Sequence, residues 1–124
     1  MSDCKASIYE EFDEPCTIWK SKIVRANKPH KCCECERIID PGEKYERLNI
    51  LYDGDFCSHA TCLVCMEIAN AFCVNGRLIE HLWEGMNECD VWEHLTTACF
   101  DRLQTVEAKT ELRRRWMQWK GLPQ

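Results

Sequence analysis

Apolar positions recur along the chain in two rhythms. Between residues 40 and 56 the spacing is strand-like: Tyr45, Leu48, Ile50 and Tyr52, with one irregularity, bracketed by Asp40-Pro41-Gly42 and by Asp53-Gly54 ahead of Phe56. Proline presets one φ of a turn and glycine accepts the positive φ beside it, so the segment reads as a β-hairpin. From residue 61 the rhythm becomes helical. Thr61 is placed to cap a helix whose first turn holds Cys62 and Cys65 and whose inner face holds Ile68, Ala69, Phe72 and Cys73. Leu78, Ile79, Leu82, Trp83 and Met86 then share one side of a helical stretch over 77–86. Val91, Trp92, Leu95, Cys99 and Leu103 follow at steps of three and four, on a stretch whose polar side is acidic. From Thr105 to Lys120, Leu112, Trp116 and Trp119 form one stripe with Lys109, Arg113, Arg114 and Arg115 around it, closing at Gly121 and Pro123. The last two stretches read either as two helices or as one bent near Thr105.

The chain has 124 residues, 45% of them hydrophobic and 30% charged. That suits one folded domain in water and is too interrupted by charge for a membrane span. The first residues show neither a basic start nor an apolar run, so no secretory route is expected and the location reads as cytoplasmic. There are 11 cysteines. In a reducing compartment such thiols stay free or bind metal, and an odd number cannot all pair within one chain.

The clearest chemical signal is Cys32-x2-Cys35 followed by Cys62-x2-Cys65. Zinc takes four soft ligands in a tetrahedron, and a Cys-x2-Cys knuckle turns two sulfurs toward one ion. The spacing predicts one structural Zn²⁺, with the hairpin as a folded insert between the pairs and a helix start favouring thiolate on the second. His59-x2-Cys62 is a competent rival pair, leaving Cys65 spare. The remaining cysteines, Cys4, Cys16, Cys33, Cys57, Cys73, Cys89 and Cys99, read first as packing or surface residues.

Knuckle, hairpin, then a helix completing the site resembles a treble-clef zinc finger, over residues 30–73 or so. The run Lys28-Pro29-His30-Lys31-Cys32-Cys33-Glu34-Cys35, with Ile39 to Glu46, Tyr52-Asp53-Gly54 and Thr61-Cys62-x2-Cys65, is also similar to small, mostly uncharacterised zinc proteins of bacteriophages and prophages. The fold class expected is α+β: a lead-in over 1–27, a treble-clef-like module over 28–75, and a helical region over 76–124 that packs on the module or on a partner. The phage resemblance implies a viral or prophage origin.

No phosphate loop, serine elbow or zinc-protease helix is present, and the hairpin lacks the catalytic histidines of treble-clef nucleases. A binding protein is therefore expected, and no enzyme. Charge comes in blocks: net −4 over 1–15, +3 over 16–52, −8 over 53–107 and +4 over 108–124. The overall pI of about 5.4 argues against a protein-wide field for nucleic acid. The reading favoured is docking on a host protein or complex, possible inhibition of a host enzyme or defence system included, through Arg113, Arg114, Arg115, Trp116 and Trp119. The terminal helices also suit a homodimer. The alternative is a nucleic-acid-binding zinc finger using Lys20, Lys22, Arg25 and Lys28, which run into the knuckle. The tryptophans Trp83, Trp92, Trp116 and Trp119 also read as the core that a small zinc nucleus cannot supply alone.

Overall fold

A computed structural model describes residues 16–52, 54–73, 81–89 and 91–121. The expectations for residues 1–15, Asp53, Leu78, Ile79 and Pro123 lie outside the described residues. The fold is α+β. Strand β1 (Cys16–Arg25) pairs antiparallel with β4 (Lys44–Tyr52), and β4 pairs antiparallel with β5 (Asp55–Cys62), giving a three-stranded sheet in the order β1-β4-β5. Two short strands, β2 (His30–Lys31) and β3 (Ile38–Ile39), pair as a separate ribbon around the first cysteine pair.

The β4–β5 hairpin turns at Gly54, whose φ of 83° lies in the left-handed region that favours glycine. The irregular apolar spacing of β4 is not a bulge, because its register with β5 is unbroken from Tyr45↔Cys62 to Tyr52↔Asp55. Instead both faces of the strand are covered near its start. Tyr45 joins the main core on one face, while Glu46, Leu48 and Ile50 are buried on the other. The break in register falls on β1, between Ile18 and Lys20.

Helix α1 (Leu63–Phe72) starts where β5 ends, with Ile68, Ala69 and Phe72 buried as their spacing predicts. Its N-cap is Cys62, not Thr61: the Cys62 sulfur accepts from the Cys65 N–H, and Thr61 remains the buried penultimate residue of the strand. The stretch over 91–103 folds as two single turns, α3 (Val91–His94) and α4 (Thr97–Phe100), after α2 (Leu82–Glu88). Thr96, in extended backbone, starts α4 and breaks the continuous helix that the apolar spacing alone suggests. Helix α5 (Val106–Lys120) runs from a Thr105 cap to Gly121 at φ 76°, as read from the sequence.

One buried cluster runs through the whole assembly: Cys32, Ile39, Tyr45, Cys62 and Cys65 from the knuckle and hairpin, Ile68 and Phe72 from α1, and Leu82, Met86, Val91, Trp92, Leu103 and Leu112 from the helical region. The helices therefore pack on the cysteine module. Two polar ties fix that docking. The Glu34 carboxylate, inside the knuckle, accepts from the Leu82 N–H at 3.0 Å. The Glu67 carboxylate of α1 accepts from the N–H groups of Gln104 and Thr105 at 2.6 and 3.1 Å and from the Thr105 hydroxyl at 2.8 Å. Thr105 in turn accepts from the Ala108 N–H to cap α5.

Burial alone would raise the Glu67 carboxyl, but the Thr105 and Gln104 donors and the Lys109 charge lower it by more, so its pKa lies below the usual value. A group lowered on folding stabilises above its unfolded pKa and loses that contribution as pH falls through the folded one. Glu67→Gln keeps one acceptor and no charge, and is expected to cost about 1–2 kcal/mol at neutral pH. In urea melts this deficit should shrink as the pH is lowered below the ordinary carboxylate range.

Candidate metal centre

The ribbon of β2 and β3 brings the ends of the first knuckle together. The Cys32 N–H bonds the Arg37 carbonyl at 2.9 Å, and the Glu36 N–H returns to the Cys32 carbonyl at 3.0 Å. Glu36 sits at φ 65°, a conformation that costs a residue with a Cβ about 1 kcal/mol. Among the described residues its side chain makes one exposed pair, with Lys31 at 3.6 Å. Glu36→Gly is thus expected to stabilise the metal-loaded protein by about 0.5 kcal/mol, the relief of strain exceeding the added chain entropy. A lower urea midpoint for the variant would contradict this.

The hairpin delivers the second pair. Register places Cys62 opposite Tyr45, at the end of the sheet nearest the knuckle, and the first turn of α1 adds Cys65. The Cys33 N–H bonds the Ala60 carbonyl at 2.8 Å, clamping knuckle to strand. The sulfurs of Cys32, Cys35, Cys62 and Cys65 all lie within 4.8 Å of one another. Cys35 and Cys62 sulfurs are 3.8 Å apart. A tetrahedron with metal–sulfur bonds of about 2.3 Å has edges of about 3.8 Å, so this separation fits a tetrathiolate ion.

Backbone amides point at the same sulfurs. Glu34 and Cys62 N–H groups donate to the Cys32 sulfur at 3.4 Å each, and the Cys65 N–H donates to the Cys62 sulfur at 3.5 Å. Such donors stabilise thiolate. The crowded thiols also control one another's protons. Cys35 and the other two neighbours hold Cys32 far down, in its thiolate form. Cys35 is raised by Cys32 and lowered by more by Cys62 and Cys65, ending at about 7. Cys62 and Cys65 are pushed well up, chiefly by Cys32 and Cys35, because each further negative charge in this volume is repelled. A divalent cation removes that repulsion. The donor set therefore fits a soft metal ion, and with all four positions taken by protein it leaves no open position for a substrate.

His59 lies outside the convergent group. It stands opposite Leu48 on β5, three residues before Cys62, and in an extended strand an odd separation places two side chains on opposite faces. Cys33 turns away from the cluster, its sulfur 3.4 Å from the Thr61 hydroxyl. Cys57 is exposed, and Cys73 and Cys89 stand at helix ends outside any disulfide. Cys99 is buried in α4 and is disulfide-bonded, which its reading as plain packing did not include.

The residues read as partner-binding fall into two groups. On α5, Arg115 stacks on the Trp83 ring at 3.7 Å, and Trp83 stacks on Trp92 with centroids 6.4 Å apart. Trp116 packs edge-on to Phe100, and Arg114 is held by Glu111 at 2.6 Å. Only Arg113 and Trp119, which is 47% exposed, face outward without such a role among the described residues. On β1 and after it, Lys20, Lys22, Arg25 and Lys28 are all exposed, and Arg25 donates to the Gly42 carbonyl at 2.7 Å. Arg47, which the sequence reading passed over, joins them from β4, directly opposite Lys22. No helix among the described residues is long and apolar enough to cross a membrane. Compared with protein-family models, curated proteins and solved structures, the chain matches none.

Proposed function

We propose that this chain is a non-enzymatic protein in which one zinc ion, held by Cys32, Cys35, Cys62 and Cys65, fixes a surface for binding nucleic acid. The convergence of four thiols with a tetrahedral edge carries the metal reading. Zinc is favoured because four cysteine sulfurs in tetrahedral array are its usual structural set. A site closed by protein ligands supports a scaffold and gives no support to catalysis.

The direction toward nucleic acid rests on which cations are already engaged. Arg114 and Arg115, two of the anchors for protein docking, are held against Glu111 and Trp83. Lys20, Lys22 and Arg47 make no ion pair or hydrogen bond among the described residues. Unneutralised cations on one side of an acidic protein suit phosphates locally, without a protein-wide field. On this reading, and on the resemblance of Lys28 to Cys35 and Thr61-Cys62-x2-Cys65 to phage and prophage zinc proteins, the expected setting is phage nucleic-acid metabolism or transcription. Docking on a host protein keeps one favourable observation, the outward Trp119 and Arg113 at the end of α5.

Two measurements test this reading. Elemental analysis of purified protein should return one zinc per chain, and cobalt exchanged into the site should show the intense visible bands of a tetrahedral thiolate complex. On a phosphate-bearing cation-exchange matrix the zinc-loaded protein should be retained at low salt and released steeply as salt rises. Flow-through at low salt would instead favour the protein partner.

A further inference from the structure

We infer that Cys35 is an oxidation site: peroxide reaches its sulfur through a groove beside the metal centre, and a disulfide to Cys62 then expels the zinc ion. This rests on the zinc reading above and adds a route by which the surface held by the ion is dismantled. Three of the four ligands are sealed. Cys32, Cys62 and Cys65 are at most 2% exposed, whereas Cys35 is half-buried. Cys35, Cys62 and Cys65 line a groove of about 690 Å³ together with Val64 of α1 and Val106 and Thr110 of α5. Val106 is 74% exposed and Thr110 is exposed, so the groove opens to solvent along α5. Hydrogen peroxide is little larger than water, and this volume admits it freely.

Amide donors separate the ligands further. The Cys32 sulfur accepts from two N–H groups, those of Glu34 and Cys62, while the Cys62 sulfur accepts from that of Cys65. Cys35 is approached by the backbone of Arg37. A thiolate stabilised by more donors is a weaker nucleophile, so Cys32 is both sealed and subdued. Among the rest, exposure singles out Cys35, because attack on peroxide follows thiolate character and access. A second sulfur is in reach: Cys62 stands 3.8 Å from Cys35 and needs to close by about 1.8 Å to form a disulfide. Cys33, adjacent in sequence, is turned toward the Thr61 hydroxyl and is no competitor.

The steps balance with peroxide as the oxidant. The Cys35 thiolate attacks one peroxide oxygen; an S–O bond forms, the O–O bond breaks, and hydroxide leaves. The Cys62 thiolate then attacks the sulfenic sulfur, forming the S–S bond and expelling a second hydroxide. Two thiolates have supplied two electrons, and two protons from solvent turn the hydroxides into water. Zinc itself changes no oxidation state. Left with Cys32 and Cys65 alone, the site no longer retains it.

The test uses the zinc-loaded full chain and about 1 mM hydrogen peroxide at neutral pH, with freed zinc followed by a chromogenic chelator and thiols quenched by N-ethylmaleimide for peptide mapping. One zinc per chain should be released, with a disulfide joining Cys35 to Cys62 and loss of the helical circular dichroism; dithiothreitol with zinc should restore the signal. Because Cys35→Ser removes a ligand, access is tested instead with Thr110→Trp, which places a large ring in the groove. This variant should keep its zinc and slow release by about threefold or more. Cys57→Ser, at an exposed thiol outside the centre, should release zinc at the unaltered rate. Zinc retained under peroxide, an unaltered rate in Thr110→Trp, a slowed one in Cys57→Ser, or a first disulfide that omits Cys35 would each overturn the inference and leave the zinc reading intact. Purified protein without zinc would overturn both.

Discussion

Stripping the metal with a strong chelator is expected to unfold the entire chain, helices as well as knuckle, in one transition. Folding brings the sulfurs of Cys32, Cys35, Cys62 and Cys65 within 4.8 Å of one another, and their mutual repulsion is relieved only by a cation. Structural zinc contributes an apparent 10–16 kcal/mol in small finger peptides, roughly the whole stability of a domain this size. Its loss leaves little to hold the knuckle. The effect spreads because the core is continuous: Cys32, Cys62 and Cys65 belong to the same buried cluster as Leu82, Trp92 and Leu112. The Glu34 bond to the Leu82 N–H adds a direct link from knuckle to helices. Far-UV circular dichroism should lose its helical signal on chelation, and tryptophan fluorescence should shift as the Trp83–Trp92 stack opens. Re-addition of zinc should restore both. A helical signal that survives chelation while the metal is shown to be gone would mean that α2 to α5 fold without the ion.

Much of this arrangement was legible in the sequence, for reasons that differ by element. The hairpin announced itself through its turn residues, and α5 through a Thr cap and a terminal glycine, which are local signals that the fold then used. The knuckles were legible because two-residue spacing leaves few alternatives for the sulfurs. Strand β1 was hidden. Its lysines alternate with Ser21 and the 46%-exposed Ile23, so neither face carries a continuous apolar signal, and the segment reads as a basic lead-in. Its pairing with β4 along the whole strand is a long-range fact. Arg47 was overlooked for the same cause: its importance comes from standing opposite Lys22, 25 positions earlier in the chain. The inward course of Arg115 was equally unreadable, since a run of three arginines around an apolar stripe gives no sign that one will lie on Trp83. The break before α4 came from Thr96 taking extended backbone, a choice that the steps of three and four do not disclose.

Cys65→Ser is expected to abolish stoichiometric metal binding and with it the cooperative melt, whereas Cys33→Ser and Cys57→Ser should leave both within error. All three residues are cysteines of the knuckle and hairpin region, so the contrast isolates position from chemistry. Cys65 is buried in the first turn of α1, with its sulfur among the convergent four. A serine hydroxyl there is a poor ligand for a soft ion, and it leaves three thiolates to share the charge of the cation in a core that cannot admit water freely. Cys33 meets Thr61 and Glu34 instead, and Cys57 is exposed on β5, so replacement of either leaves the convergent four untouched and exchanges weak thiol hydrogen bonds for ones a serine hydroxyl can also make. The same experiment separates the two ligand sets that the sequence permits. If His59 closed the shell, Cys65→Ser would retain one metal per chain and His59→Ala would lose it. With the strand geometry as described, His59→Ala should keep its metal, because the imidazole stands on the side of β5 away from Cys62. Metal content measured on Cys65→Ser and His59→Ala side by side therefore decides which residue holds the ion, and a variant too unstable to purify can be read instead as a cobalt titration of the refolding chain.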